Sequence, residues 1–292
     1  MTPIPRIGIF ANLRKPKVWS EVPTYLRWLL NKEVEVILDE PLSALDHLDE
    51  FEFEPIGSAA DRCDVVLSFG GDGTLLRCVR EVASAATPIL GVNLGGLGYL
   101  AEFSIPELYR WTDALIAGKF ETQERLVLQA EKSGGNTKPL LALNDFVFDR
   151  GEHSRAIRLR TSIDGEYLNT YTADGLILAT PTGSTGYSLS AGGPILEPTL
   201  DAIILIPTSP HTLAHRPMVV RADRILTIET ELDQKAHVMA DGVYIDTIEY
   251  GEHMTISRAP FTVKLVTFTG KYFYQVLREK LRWGEDTRNP GR

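Results

Sequence analysis

The chain has 292 residues, 43% of them hydrophobic and 24% charged, with a formal net charge of −9. That length exceeds one ordinary small domain and suits two, and no apolar run is long enough to span a bilayer. The acidic balance argues against general affinity for nucleic acid or an anionic membrane, so a phosphorylated ligand needs a local site or an accompanying divalent cation.

The first third alternates strand and helix patterns. Ile7-Gly8-Ile9-Phe10 reads as a strand, followed by a helix over Val18 to Leu30 and a second strand over Val34 to Leu38. Met1 to Phe10 lacks the basic start and apolar core of a secretion signal. Asp46 to Glu54 is acidic and poorly periodic and reads as a solvated connection. Cys63 to Leu67 is a short apolar strand that runs into Ser68-Phe69-Gly70-Gly71-Asp72-Gly73-Thr74, and helical spacing begins near Thr74 with Leu75, Leu76, Val79 and Val82. Pro88 to Val92 is a further strand, and Pro106 at a first helical position opens a helix over Glu107 to Ala117. This rhythm predicts a mostly parallel, doubly wound sheet with ligands at the carboxyl ends of its strands. Cys63 and Cys78 are the only cysteines. They are too few for a disulfide framework or a four-thiolate metal site and suit a reduced, cytoplasmic compartment.

From about Glu121 the rhythm changes to short strand-like runs broken by turns: 125–129, 156–160, 175–179, 202–206, 225–228 and 261–266. That spacing predicts an all-β, sandwich-like domain. Tyr272 to Trp283 is helical in period and packs back onto another part of the chain, and Thr287 to Arg292 reads as a frayed tail. The expected domains are therefore a Rossmann-like α/β domain over 1–120, a β-rich domain over 121–266, and a returning tail over 267–292.

Four stretches carry more glycine and polar side chains than folding requires. Gly70-Gly71-Asp72-Gly73-Thr74 turns a strand into a helix N-terminus, where free N–H groups and the helix dipole favour anions. It is not a Walker loop, because no Gly-Lys-Thr or Gly-Lys-Ser follows at the required spacing. Asp72 sets a carboxylate where phosphates would bind, which needs a cation or a proton transfer to make sense. Gly91-Val92-Asn93-Leu94-Gly95-Gly96-Leu97-Gly98 opens on the same sheet edge. Thr180-Pro181-Thr182-Gly183-Ser184-Thr185-Gly186-Tyr187-Ser188-Leu189-Ser190-Ala191-Gly192-Gly193-Pro194 is a dense run of hydroxyls and glycines. Leu143-Asn144-Asp145 follows an apolar run and by itself reads only as a turn. His211 reads as structural, and Asp241-Gly242 as a turn between strands.

In this order the motifs resemble the bacterial NAD kinases over Ile7 to about Trp283. Asn93 with Gly98, Asp174-Gly175, Pro210-His211 and Arg216-Pro217 also fall in the family's order. The Gly-Gly-Asp-Gly element is shared with lipid kinases and phosphofructokinases, whereas the Thr180–Pro194 loop is more specific to NAD kinases. The resemblance implies phosphorylation of the 2′-hydroxyl of the adenosine ribose of NAD, giving NADP, with Asp72 as general base. Gly70, Gly71, Gly73 and Thr74 would approach the phosphates, with Arg77 and Arg155 nearby. It places Asn144 and Asp145 along the NAD site, Thr185, Gly186, Tyr187, Ser188, Leu189 and Ser190 around the adenosine half, and Asp174 at the nicotinamide half. The implied donor is ATP, another nucleoside triphosphate or polyphosphate, used with Mg²⁺ or another divalent cation, and the implied assembly is a homo-oligomer, a dimer or tetramer. No metal ligands are assigned. Asp145 stands where Glu is usual, Gly186 where Ala is usual, and Thr172 where some relatives carry Arg. A kinase for another hydroxyl substrate and a dinucleotide-binding sensor share parts of this pattern.

Overall fold

The computed structural model describes residues 5–96, 98–101, 103–135, 138–151, 155–212, 214–231, 234–268 and 273–283. Leu97 of the second glycine stretch, Tyr272 at the start of the expected last helix, and the tail 287–292 lie outside the described residues. The chain divides into two compact units, one of residues 1–123 with 264–292 and the other of residues 124–263.

In the first unit the elements are β1 (Arg6–Ala11), α1 (Val18–Leu30), β2 (Glu35–Asp39), β3 (Glu52–Glu54), α2 (Ile56–Ala59), β4 (Val65–Gly70), α3 (Asp72–Val82), β5 (Ile89–Asn93), β6 (Phe103–Ser104) and α4 (Ile105–Ile116). These strands pair in parallel in the order β6-β5-β4-β1-β2-β3. The chain winds outward from β1 through β2 to β3, then returns to the far side of β1 for β4. The strand order therefore reverses between β1 and β4, where a crevice opens outside the carboxyl ends. Side chains alternate across each strand. Ile7, Ile9, Leu67, Leu90 and Val92 share one apolar core with Val22, Leu26 and Leu29 of α1 and Leu108 and Leu115 of α4. The opposite face is built close: a Cβ on Gly91 would fall 2.6 Å from Leu75 Cδ1 of α3, and one on Gly8 2.9 Å from Ile56 Cδ1 of α2. Helices thus cover both faces of this sheet.

Three local readings differ from expectation. The acidic segment 46–54 holds β3, because Leu48 and Phe51 are buried in the same core as β2 and anchor an otherwise polar stretch. Helix α3 begins at Asp72 rather than Thr74, with Gly71 as its cap. Pro106 is the second residue of α4, which is capped by Ser104, and the Glu107 carboxylate accepts from Ser104 N (2.8 Å) and Oγ (2.7 Å).

The second unit is built from β7 (Glu121–Lys132), β8 (Leu140–Ala142), β9 (Asp145–Asp149), β10 (Ile157–Ile163), β11 (Glu166–Ala173), β12 (Gly175–Ala179), α5 (Tyr187–Ser190), β13 (Ala202–Thr208), β14 (Met218–Arg221), β15 (Leu226–Thr230), β16 (Ala236–Ala240), β17 (Val243–Ile248) and β18 (His253–Thr267). One antiparallel sheet runs β14-β13-β12-β9-β16-β17. Strands β11, β10, β15 and β18 pair antiparallel in a second layer. Phe146, Phe148, Leu176, Leu178, Ile203 and Leu205 from the first layer meet Ile157, Leu159, Leu226, Ile228, Met254 and Ile256 from the second in a single core. The expected α/β and sandwich-like β classes are both present. Strands β6, β8, β9, β11 and β14 went unread in the sequence, being short or only weakly alternating.

The closing stretch of β18 belongs to the first unit, where Leu265 runs parallel to Ile89 of β5. Helix α6 (Phe273–Leu281) follows, and Lys280 Nζ lies 5.1 Å from the ring centre of Tyr99. Among the described residues no helix is long and apolar enough to cross a membrane. Replacing Glu107 by Ala removes the acceptor that closes the start of α4. Urea denaturation is expected to show a loss of about 1 kcal/mol.

Candidate active site

In the first unit, β4 and β5 end side by side, with Gly70 opposite Asn93. Their two glycine-rich loops accordingly open on one sheet edge. Asp72 ties the loops together. Its Oδ2 accepts from Tyr99 N at 2.8 Å, and its Oδ1 accepts from Leu100 N at 3.0 Å and Ala101 N at 2.9 Å. A carboxylate has about four acceptor positions. Among the described residues three are filled, and the one that remains lies on Oδ2. Gly98 is required for this arrangement, since a Cβ there would fall 2.2 Å from Asp72 Oδ1. Asn93 braces the same loop from below, donating from Nδ2 to Gly96 O (2.7 Å) and Ala101 O (3.1 Å) while its Oδ1 accepts from Gly95 N (2.8 Å). Gly70 packs against Thr74, leaving no room for a Cβ, whereas a Cβ on Gly71 or Gly73 would meet nothing within 4 Å. The backbone at those two glycines is open to a ligand. Arg77 is exposed, with its guanidinium 5.1 Å from the ring centre of Phe10.

In the second unit, Asn144 and Asp145 lead into β9 and are gathered by a residue read in the sequence only as part of a turn. Asp241 has φ 49° and sits between β16 and β17. Its carboxylate accepts from Leu143 N (3.1 Å), Asn144 N (2.7 Å) and Asp145 N (3.3 Å). Its own N–H donates to Asp145 O at 3.0 Å. The Thr180 loop closes on the same residues. Thr180 N donates to Asn144 O (2.8 Å), Thr180 Oγ1 donates to Leu143 O (2.6 Å), and a Cβ on Gly183 would strike Asn144 O. Gly186 lies over them, its absent Cβ 3.5 Å from Asn144 Nδ2 and 3.9 Å from Asp145 Oδ2. Thr185 is held by its own turn, Oγ1 donating to Thr182 O, while Ser188 is buried and Ser190 exposed. Asn144 Oδ1, Thr182 Oγ1 and Ser188 Oγ are buried without a partner among the described residues. Such atoms are costly unless a polar group meets them.

Asp145 is only 4% exposed. Burial, and then the charge of Asp241, push its carboxyl up to about 7. Asp174 and Tyr187 line an open pocket of about 340 Å³ with Arg150, His237 and Tyr244. Arg150 Nε pairs with Asp174 Oδ1 at 3.0 Å, a partner that no local pattern marks. Arg155 is exposed, and so is His211, whose backbone N–H donates to Thr172 O at 3.0 Å. Among the described residues no group of three or more His, Cys, Asp or Glu side chains is placed to hold a metal ion.

Two outcomes follow from the Asp145–Asp241 geometry. Asp241→Ala leaves three N–H groups without their acceptor, and a loss of roughly 2–3 kcal/mol in urea denaturation is expected, with faster amide exchange at 143–145. The Asp145 carboxyl titrates higher when folded than its ordinary value, so the unfolded chain binds fewer protons between about pH 4 and 7. Its contribution to stability therefore falls as pH rises through that window. Asp145→Asn is expected to flatten this slope and to raise stability at pH 8 by on the order of a few kcal/mol, checked by denaturation at stepped pH.

Comparison with known proteins identifies the family. Residues 7–120 match the family model described as the ATP-NAD kinase N-terminal domain, and residues 143–268 match the ATP-NAD kinase C-terminal domain. The chain is 38% identical over 283 residues to the NAD kinase of Geotalea daltonii and 40% identical over 285 residues to that of Citrifermentans bemidjiense, in each case covering 96% of this chain and 99% of the relative. Among solved structures it superposes on yeast NADH kinase complexed with NADH, with a TM-score of 0.87 and 26% identity over 100% of this chain and 91% of that one. An NAD kinase from Archaeoglobus fulgidus in complex with ATP gives a TM-score of 0.74 and 28% identity over 95% of this chain and 98% of that one. The chain belongs to the NAD kinase family and is an enzyme of that class, a kinase that phosphorylates NAD.

Proposed function

We propose that the chain transfers the terminal phosphoryl group of ATP, another nucleoside triphosphate or polyphosphate to the 2′-hydroxyl of the adenosine ribose of NAD, giving NADP, with Asp72 as general base. The observation that carries this reading is the Asp72 carboxylate, fixed by three backbone N–H groups at a helix start, with one acceptor position left on Oδ2. That position suits the proton of an incoming hydroxyl. The open backbone at Gly71 and Gly73 suits phosphate oxygens at the helix N-terminus. In the second unit, the unpartnered Asn144 Oδ1, Thr182 Oγ1 and Ser188 Oγ supply polar contacts suited to a dinucleotide. Asp174 and Tyr187, in one pocket, and Arg155 and Arg77, both exposed, are further candidates for ligand contact. The neighbours' complexes with NADH and with ATP are consistent with both ligands.

The acidic side chains fit a divalent cation that arrives on the donor rather than a resident one. No three-ligand cage exists among the described residues, and Mg²⁺ is commonly held by substrate phosphates with few protein groups. Bound in that way, it would neutralise the donor's phosphate oxygens. We also place the enzyme in the cytoplasm as a homo-oligomer, a dimer or tetramer. The buried free thiols of Cys63 and Cys78 suit a reducing compartment. The terminal strands β14 and β17 expose Val219, Val243 and Tyr244 on open sheet edges, which suit pairing with a second copy.

The test is NADP formation by purified protein with NAD, Mg²⁺ and each donor, read with an NADP-specific dehydrogenase. Asp72→Asn, confirmed as folded, is expected to lower kcat on the order of 10²–10⁴-fold. Equal rates in the two proteins would remove Asp72 from the role of base, and no NADP with any donor would remove the reaction.

A further inference from the structure

The strand order of the first unit reverses between β1 and β4, so the loop that leaves β1 borders the same crevice as Gly70–Gly73. The register is tight up to that point. Ala11 pairs with Phe69, and Asn12 N donates to Phe69 O at 3.1 Å, three residues before Asp72. Beyond Asn12 the chain runs Leu13-Arg14-Lys15-Pro16-Lys17 into α1. This loop is built, not loose. Asn12 Oδ1 accepts from Arg14 N (3.1 Å), Asn12 O accepts from Lys15 N (2.9 Å), and the Trp19 indole donates to Leu13 O (3.0 Å).

The charges in it run against local stability. Arg14, Lys15 and Lys17 are all exposed and crowd the start of α1, the positive end of its dipole, where cations are unfavourable. Glu21 is the acidic residue of the first turn, yet no ion pair joins any of the three cations to a carboxylate among the described residues. In a chain of net charge −9, three uncompensated cations on a braced loop at the switch point call for an anion. The crevice that they border is the one on which Gly71 and Gly73 present bare backbone.

We infer that the β1–α1 loop seats the condensed phosphate chain of the phosphoryl donor through Arg14, Lys15 and Lys17. The inference rests on the proposed kinase reading and adds to it the residues that would grip the donor. Nucleoside triphosphates and inorganic polyphosphate share this chemistry, and both are arms of the test. The variant Arg14→Gln/Lys15→Gln/Lys17→Gln is compared with Lys119→Gln/Lys138→Gln/Lys235→Gln, which makes the same change in net charge at exposed positions elsewhere. In the loop variant, KM for the donor is expected to rise roughly tenfold or more, with KM for NAD unchanged and a shallower dependence of donor KM on salt. A rise with ATP alone or polyphosphate alone supports the seat and identifies its source. Donor KM values within about twofold of the control variant for both donors overturn it. Tripolyphosphate binding by calorimetry separates this inference from the reading beneath it. If the wild type binds tripolyphosphate but forms no NADP, the kinase reading fails. The seat then stands if binding is lost in the loop variant alone, and falls if binding is equal in both variants.

Discussion

A carboxylate that collects consecutive backbone N–H groups is the interaction on which the candidate site depends. Asp72 gathers the amides of residues 99, 100 and 101, and Asp241 gathers those of 143, 144 and 145. In both places a loop that has left its sheet would otherwise carry unpaired donors. One ionised acceptor with several lone pairs satisfies them together, and bonds to a charged acceptor are the stronger kind. The two loops thereby take fixed positions without regular secondary structure.

The two uses differ in what they leave over. Asp72 stands at the start of α3, among glycines whose backbone is open, and among the described residues keeps an acceptor position on Oδ2. Asp241 spends its oxygens on positioning, and the charge it brings falls beside Asp145, buried in the same corner. Burial first, and then that charge, push the Asp145 carboxyl up to about 7 and make the second unit's stability sensitive to pH.

Much of the site was legible in the residues. The Gly70–Thr74 loop, its neighbour around Asn93 and the Thr180–Pro194 run announced themselves by glycine and hydroxyl density, and the parallel rhythm put the first two on one sheet edge. The elements that went unread were those whose burial is decided at a distance. Strand β3 lies in an acidic stretch anchored by Leu48 and Phe51, with the partly buried Phe53, and β11 alternates too weakly to signal itself. Pairing to neighbours far along the chain, rather than intrinsic pattern, makes both into strands. Arg150 pairs with Asp174 for the same reason: nothing in the local sequence marks it.

The sequence by itself determined that this is a two-part α/β and β chain with a carboxylate in a glycine loop at a helix start. Those features follow from short-range rules of periodicity, turn chemistry and the helix dipole, which act over a few residues. Only the tertiary structure decided what that carboxylate holds. It also decided that Asp241 supports Asn144 and Asp145 across almost a hundred residues, and that the cationic loop after β1 borders the crevice at the switch point. These are matters of strand order and register, fixed by how separate segments bury their apolar faces together, and no local pattern encodes them.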